Sequence, residues 1–264
     1  NCPKDGQEWS AEAIRWEALE DDRLAVAVNG ELFAEGDGSF GKIREILTEG
    51  YPLRIRYLKI AEAMARFSQA GQYNYSRMLE RGDKVAAQLQ LGESLKEAMK
   101  LLYYMKGDYP PHDKWLFHRL LGKTEYAEML ALIERALTDS AADKSLLIER
   151  MGAALAYLLY QADIISDVDS FLQEHIGEVL FKASVAELSV EELAEQIAGL
   201  EFEAFDKVKN QGGRADCQDD WFTFSIMRKS QYLTWNQGML VQYYYDFQRE
   251  YAKGHNLIEE KYGR

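Results

Sequence analysis

Apolar positions recur three and four residues apart in one segment after another, the spacing of an amphipathic helix. Ile14, Leu19, Leu24 and Val28 predict a helix over 11–28, which Asn29-Gly30 can end with a left-handed cap. The same Asn-Gly, set between Ala-Val-Ala-Val and Glu-Leu-Phe, is also a hairpin signal, so one short hairpin near residues 25–34 stands beside the helical reading. A short helix is expected over 40–47, capped by Ser39 or a neighbour. Pro52 suits the first turn of the next, with Ile55, Leu58, Ile60, Ala63 and Met64 facing inward. Further helices are expected over 77–91, 95–104, 114–121, 124–137, 144–162 and 168–181. Ser189 and Glu192 form a capping box ahead of a stripe of Leu193, Ile197, Leu200, Phe205 and Val208 over 190–209, which Gly212-Gly213 stops. Helices over 219–229 and 236–252 complete the pattern.

Proline use strengthens this picture. The four prolines, Pro3, Pro52, Pro110 and Pro111, leave everything after residue 111 free of the residue most hostile to helix interiors. The expected fold is all-α, a multi-helix bundle of two packed helical subdomains, 1–184 and 185–264, with the boundary between Phe181 and Ser189. Apolar residues at 47% and charged residues at 28% fit an ordinary globular chain and exclude wholesale disorder. The net charge of -13 repels phosphate backbones and anionic lipid, which argues against general nucleic-acid binding and a membrane role. Cys2 and Cys217 lie too far apart in sequence to suggest a disulfide framework and fit a reducing, cytoplasmic setting. No apolar run approaches the roughly 18–20 residues that span a bilayer. Residue 1 is Asn, so the chain reads as part of a longer polypeptide.

Four stretches concentrate chemistry. The first runs from Gly71 to Asp83 and holds Gln72, Tyr73, Asn74, Tyr75, Arg77, Arg81 and Asp83. Arg77 and Arg81 stand four apart, so on a helix both guanidinium groups leave one face and can together hold a phosphate or carboxylate, with Tyr73 or Tyr75 stacking on a ring. The plainer reading puts the tyrosines in the core and pairs the arginines with Glu80, Asp83 or other carboxylates. In the second stretch, His112, Asp113 and His118 lack the spacing of the two-histidine zinc helix. A rigid Pro110-Pro111 turn delivering a helix, with Trp115 in the core and Lys114 reaching an anion or solvent, is preferred, and no metal is expected. In the third, Asp163, Asp167 and Asp169 resemble Asp-x-Asp magnesium pairs, yet the only Gly-Ser, Gly38-Ser39, is far upstream, and Asp167 or Asp169 reads more simply as a helix N-cap. The fourth holds Arg214, Cys217, Gln218, Arg228, Gln231 and Trp235. These read either as caps or as contacts to an anionic ligand, with Cys217 as a buried or half-buried structural thiol instead of half of a Cys217–His255 pair.

Two bacterial families share these motifs. The stretch 16–182 resembles the C-terminal helical part of domain of unknown function 4037, through Asn29-Gly30-Glu31-Leu32-Phe33, Gly71-Gln72-Tyr73-Asn74-Tyr75, Arg81-Gly82-Asp83, Tyr109-Pro110-Pro111 and Lys114-Trp115. From Glu191 onward the chain resembles domain of unknown function 4125, through Gly213-Arg214-Ala215, Cys217-Gln218, Phe224, Met227-Arg228, Ser230-Gln231, Trp235 and His255-Asn256-Leu257. The first resemblance implies a nucleotidyltransferase-like protein, in which a catalytic palm with a Gly-Ser turn and metal-binding aspartates precedes a helical domain that shapes the substrate pocket. This sequence lacks that palm. It is therefore expected to be an accessory region that binds a nucleotide or small anionic ligand, with magnesium belonging to the palm, and to hold no cofactor or catalytic residue of its own. The second resemblance implies no chemistry. The alternative is a helical protein-interaction or self-association module, a homo-oligomer using the aromatic run Tyr243, Tyr244 and Tyr245. An independent enzyme using Cys217 or a carboxylate pair is the third.

Overall fold

A computed structural model describes residues 10–11, 14–34, 36, 38–209 and 213–262. Cys2, Pro3 and Gly212 lie outside them. Every element among the described residues is helical, so the chain is all-α and the hairpin near 25–34 does not form. Helix α1 (Asp21–Asn29) starts later than its spacing predicts, because Trp16 is buried in a separate 3-10 turn and its indole donates to Ala11 O at 2.9 Å. Gly30 is extended (φ -88°, ψ 170°), not left-handed. Arg44 of α2 (Ser39–Thr48) instead ties down the end of α1, donating to Val28 O at 3.1 Å and to Gly30 O.

Pro52 caps α3 (Leu53–Phe67), which runs without a break into a π-helical segment, Ser68–Tyr75, and then α4 (Ser76–Glu80). The predicted helix over 77–91 is interrupted at Gly82, whose φ of 77° admits the turn that glycine makes cheaply. Asp83 then caps α5 (Lys84–Lys106) by accepting from Ala86 N at 2.9 Å. Helix α5 passes straight through residues 92–94, where two helices were expected. Ser94 is buried, and its hydroxyl bonds back to Leu91 O at 2.9 Å instead of ending the helix. Helices α3 and α5 pack together and bring Ile60, Met64 and Phe67 into the same core as Leu95, Ala98, Leu101 and Leu102.

Helix α6 (Asp113–Leu120) corrects one core assignment. Leu116 and Leu120, four apart, take the inward positions, so Trp115 is 47% exposed and tilts against His118 at 5.7 Å. Helices α7 (Ala127–Thr138) and α8 (Lys144–Gln161) pair next. The expected N-cap at Asp167 or Asp169 is replaced by two successive side-chain turns: Asp169 N donates to Asp167 Oδ1 at 3.0 Å and Phe171 N to Asp169 Oδ1 at 2.8 Å. Helical structure begins only after them, with a 3-10 turn at Leu172–His175 and α9 (Ile176–Val185).

The chain divides into two units between Leu180 and Phe181, within α9 and ahead of the boundary expected at 184. In the second unit, α10 (Val190–Asp206) contacts α11 (Trp221–Tyr232), α12 (Gln237–Ala252) and α13 (Leu257–Tyr262). The predicted capping box forms, with Glu192 N donating to Ser189 Oγ at 3.2 Å and Ser189 N to Glu192 Oε2 at 2.8 Å. Ala204, Phe205, Val208, Phe247 and Ile258 form one buried cluster within it. Asn256 ties α13 to α10, donating to Ala204 O at 2.8 Å and accepting from Ile258 N at 3.0 Å. Among the described residues no helix is long and apolar enough to cross a membrane.

Candidate functional site

The Gly-Gln-Tyr-Asn-Tyr motif occupies most of the π-helical segment, and its first two residues are scaffold. A Cβ on Gly71 would lie 2.9 Å from Ser94 Cβ and 3.0 Å from Ile148 Cγ2, so only glycine lets the wide turn sit between α5 and α8. Gln72 acts as a clasp. Its amide nitrogen donates to Ser170 O at 2.7 Å and Glu149 Oε2 at 3.3 Å, while its oxygen accepts from Leu172 N and Ser68 Oγ, both at 3.2 Å. Gly152 leaves room for this clasp, since a Cβ there would stand 2.6 Å from both Gln72 Nε2 and Ser170 O. Gly152→Ala is therefore expected to destabilise the protein by about 1–3 kcal/mol, the usual cost of overpacking. A urea midpoint unchanged from wild type would contradict this.

Of the rest of the motif only Tyr73 faces outward. Tyr75 is buried, Asn74 half-buried, and Tyr73 is 47% exposed with the Arg77 guanidinium 4.5 Å from its ring centre. Arg81 is exposed just past α4. Contrary to the plainer sequence reading, neither arginine pairs with Glu80, Asp83 or any other carboxylate among the described residues. Ser76 Oγ meets Ser145 Oγ at 3.0 Å, which sets the first turn of α8 beside α4. Burial and then Asp143 push the Tyr75 phenol up, so its hydroxyl stays neutral.

Lys114 does not join this group. It lines a 520 Å³ cleft together with Lys100, near the far end of α5, and the stretch of α5 from Lys84 to Lys100 spans roughly 24 Å at the α-helical rise. One small ligand cannot bridge Lys114 and the two arginines. The other carboxylates of that cleft are already engaged: His112 Nδ1 lies 2.6 Å from Asp22 Oδ2 and Asp113 pairs with Lys96 at 3.0 Å. Beneath it, Asp21 accepts from Tyr51 OH at 2.6 Å, Lys59 Nζ at 2.8 Å and Tyr104 OH at 2.5 Å. Burial would raise the Asp21 carboxyl, but these three donors outweigh it and hold the group below the usual carboxylate range. This four-residue hub was missed in the sequence because its members are spread from residue 21 to residue 104 with no shared spacing. Among the described residues no cluster of three His, Cys, Asp or Glu side chains is arranged to hold a metal ion.

The second predicted cluster resolves into separate tasks. Gln218 is buried and closes the end of α10, donating to Phe205 O at 2.8 Å and Val208 O at 3.0 Å while accepting from Ala215 N at 2.9 Å. Arg214 holds Asp219 Oδ1 at 2.8 Å and also Asp206 Oδ1. Because Gln218 takes the inward position of this turn, Cys217 is exposed, which corrects its expected burial. Arg228 is buried against Glu201, and half-buried Trp235 stacks edge-on against Tyr232 and Tyr243, whereas Gln231 is exposed. The run Tyr243, Tyr244 and Tyr245 is no free aromatic surface. Tyr243 OH donates to Glu201 Oε1 at 2.6 Å, Tyr244 stacks on Phe181, and Tyr245 lies under Lys182 and Arg249.

Residues 16–116 match the family model described as Domain of unknown function (DUF4037), and residues 191–264 match Protein of unknown function (DUF4125). The order is the one the motifs predict, although the first match ends at Leu116, well short of Lys182. No curated protein and no solved structure matches the chain.

Proposed function

We propose that this chain is the accessory helical part of a nucleotidyltransferase-like protein, and that its first unit binds a nucleotide or similar phosphorylated anion through Tyr73, Arg77 and Arg81. One observation carries the reading: in a protein with 44 acidic and 31 basic residues, both guanidinium groups are left without a carboxylate partner among the described residues. Arginine is suited to phosphate because its planar fork gives two parallel charged hydrogen bonds, and a guanidinium already resting on a ring loses less freedom when it binds. Tyr73, exposed on the same turn, offers its ring to a base. Gln72, Tyr75 and Asp83 belong to the scaffold that aims these groups, through the clasp, the core and the α5 cap.

The test is thermal denaturation in the presence of ATP, with and without magnesium. A ligand that binds only the native state stabilises it by about 2.7 kcal/mol at a hundred times its dissociation constant. The expected result is an upward shift in the wild type that disappears in Arg77→Ala and in Arg81→Ala. A shift that survives in both variants, or no shift with any nucleotide, refutes the proposal.

A further inference from the structure

A second cleft in the first unit, of about 400 Å³, has a lining that combines apolar walls with cations: Val28, Leu47, Tyr103 and Tyr109 beside Arg119 and Lys123. Its volume falls within the range of small-molecule sites. Two left-handed glycines shape the floor. Gly50 (φ 86°) and Gly107 (φ 79°) meet so closely that a Cβ on Gly50 would lie 2.7 Å from Gly107 O. The tyrosine walls are neutral and fixed, Tyr103 OH donating to Leu116 O at 2.9 Å and Tyr109 OH to Leu47 O at 2.8 Å. Burial pushes the Tyr103 phenol up to about 12, with Arg119 pulling the other way.

The charge balance separates this cleft from two others in the same unit. The acidic side chains of the 520 Å³ cleft are bonded to their own lysines, histidine and tyrosines, and in a third cleft, between α7 and α8, Arg150 faces Glu128 at 3.7 Å. Here Lys123 reaches Asp108 only at 3.4 Å while lying over the Tyr103 ring at 5.8 Å. Arg119 pairs with no carboxylate among the described residues. Arg119, Lys123 and Asp108 leave the cleft one positive charge in excess, in a protein of net charge -13.

We infer that this cleft binds a small anion with a flat apolar body, its carboxylate or phosphate held by Arg119 and Lys123 and its body laid between the Tyr103 and Tyr109 walls. The site is independent of the one at Arg77 and Arg81. Calorimetric titration with benzoate, AMP and inorganic phosphate tests it and tells an aromatic carboxylate from a nucleoside monophosphate. The expected result is that benzoate or AMP binds more tightly than inorganic phosphate, and that Arg119→Ala weakens this binding roughly tenfold or more, the effect of losing one charged hydrogen bond. Thr48→Trp, which fills the mouth and keeps both cations, abolishes it, and the Arg77→Ala/Arg81→Ala double variant leaves it unchanged. Binding of inorganic phosphate as tight as that of either flat anion, indifference to Arg119→Ala in a variant with wild-type circular dichroism, or loss in the double variant alone would each overturn the assignment.

Discussion

Arg228→Ala is expected to cost about 3–5 kcal/mol of stability, because it strands a charge in the core of the second unit. Glu201 is 0% exposed, its Oε2 lies 3.1 Å from Arg228 Nε, and its Oε1 accepts from Tyr243 OH at 2.6 Å. The guanidinium also rests on the Phe224 ring at 5.3 Å, so truncation removes packing together with the counter-charge. The neutral phenols of Tyr243 and Tyr232, which both bond Glu201, do not compensate a carboxylate withdrawn from water. Replacing both partners, as in Glu201→Leu/Arg228→Leu, is expected to recover most of the loss, since a buried pair often does little better than an apolar pair of similar volume. Urea unfolding of the three proteins decides the matter. A single variant that loses less than about 1 kcal/mol would mean that the pair does not hold α10 and α11 together.

Asp21→Ala is expected to cost about 3 kcal/mol near neutral pH by leaving Tyr51, Tyr104 and Lys59 without their common acceptor. It should also change how stability depends on pH. The Asp21 carboxyl sits below its ordinary value of about 4 in the folded protein, so its contribution is complete above that value and is lost as pH falls through the depressed one. Burial pushes the Glu97 carboxyl the other way, above the usual carboxylate range even with Lys100 at 2.9 Å. Its effect is therefore opposite in sign, a penalty at neutral pH that is relieved on acidification. Comparing wild type with Asp21→Ala removes the Glu97 contribution common to both. The gap between the two denaturant midpoints should narrow as pH falls below the ordinary carboxylate range, and two parallel curves would show that Asp21 is not the group responsible.

Much of the helical architecture was legible from spacing and caps, and the exceptions have local causes. The Ser189–Glu192 box and the stripe after it appear where the pattern puts them, because cap chemistry is short-range and written in adjacent residues. The π-helical turn at Ser68–Tyr75 was not legible, since a wider turn shifts every later residue around the axis and no single helical period fits both sides of it. The gap left at residues 92–94 between two expected helices does not form, and buried Ser94 gives its hydroxyl to a carbonyl of its own helix. Trp115 and Cys217 were misplaced because residue type alone cannot tell which neighbour, Leu116 or Gln218, takes the inward position. At the candidate site, Arg77 and Arg81 could be singled out by their separation and their lack of carboxylate partners could not. Arg119 carried no sequence signal at all, since its neighbours in the cleft come from residues 25 to 123.

The bonds from Gln72 to Ser170 and Leu172 join positions 98 and 100 residues apart. During synthesis the motif therefore emerges long before the backbone that fixes it, and closing so long a span is paid for only once α8 has docked. A recombinant piece cut at residue 116, where the first family match ends, would carry Gly71 without Ile148 and Gln72 without Glu149, Ser170 and Leu172. The shortest fragment able to present Tyr73, Arg77 and Arg81 in their native setting has to extend at least to Leu172.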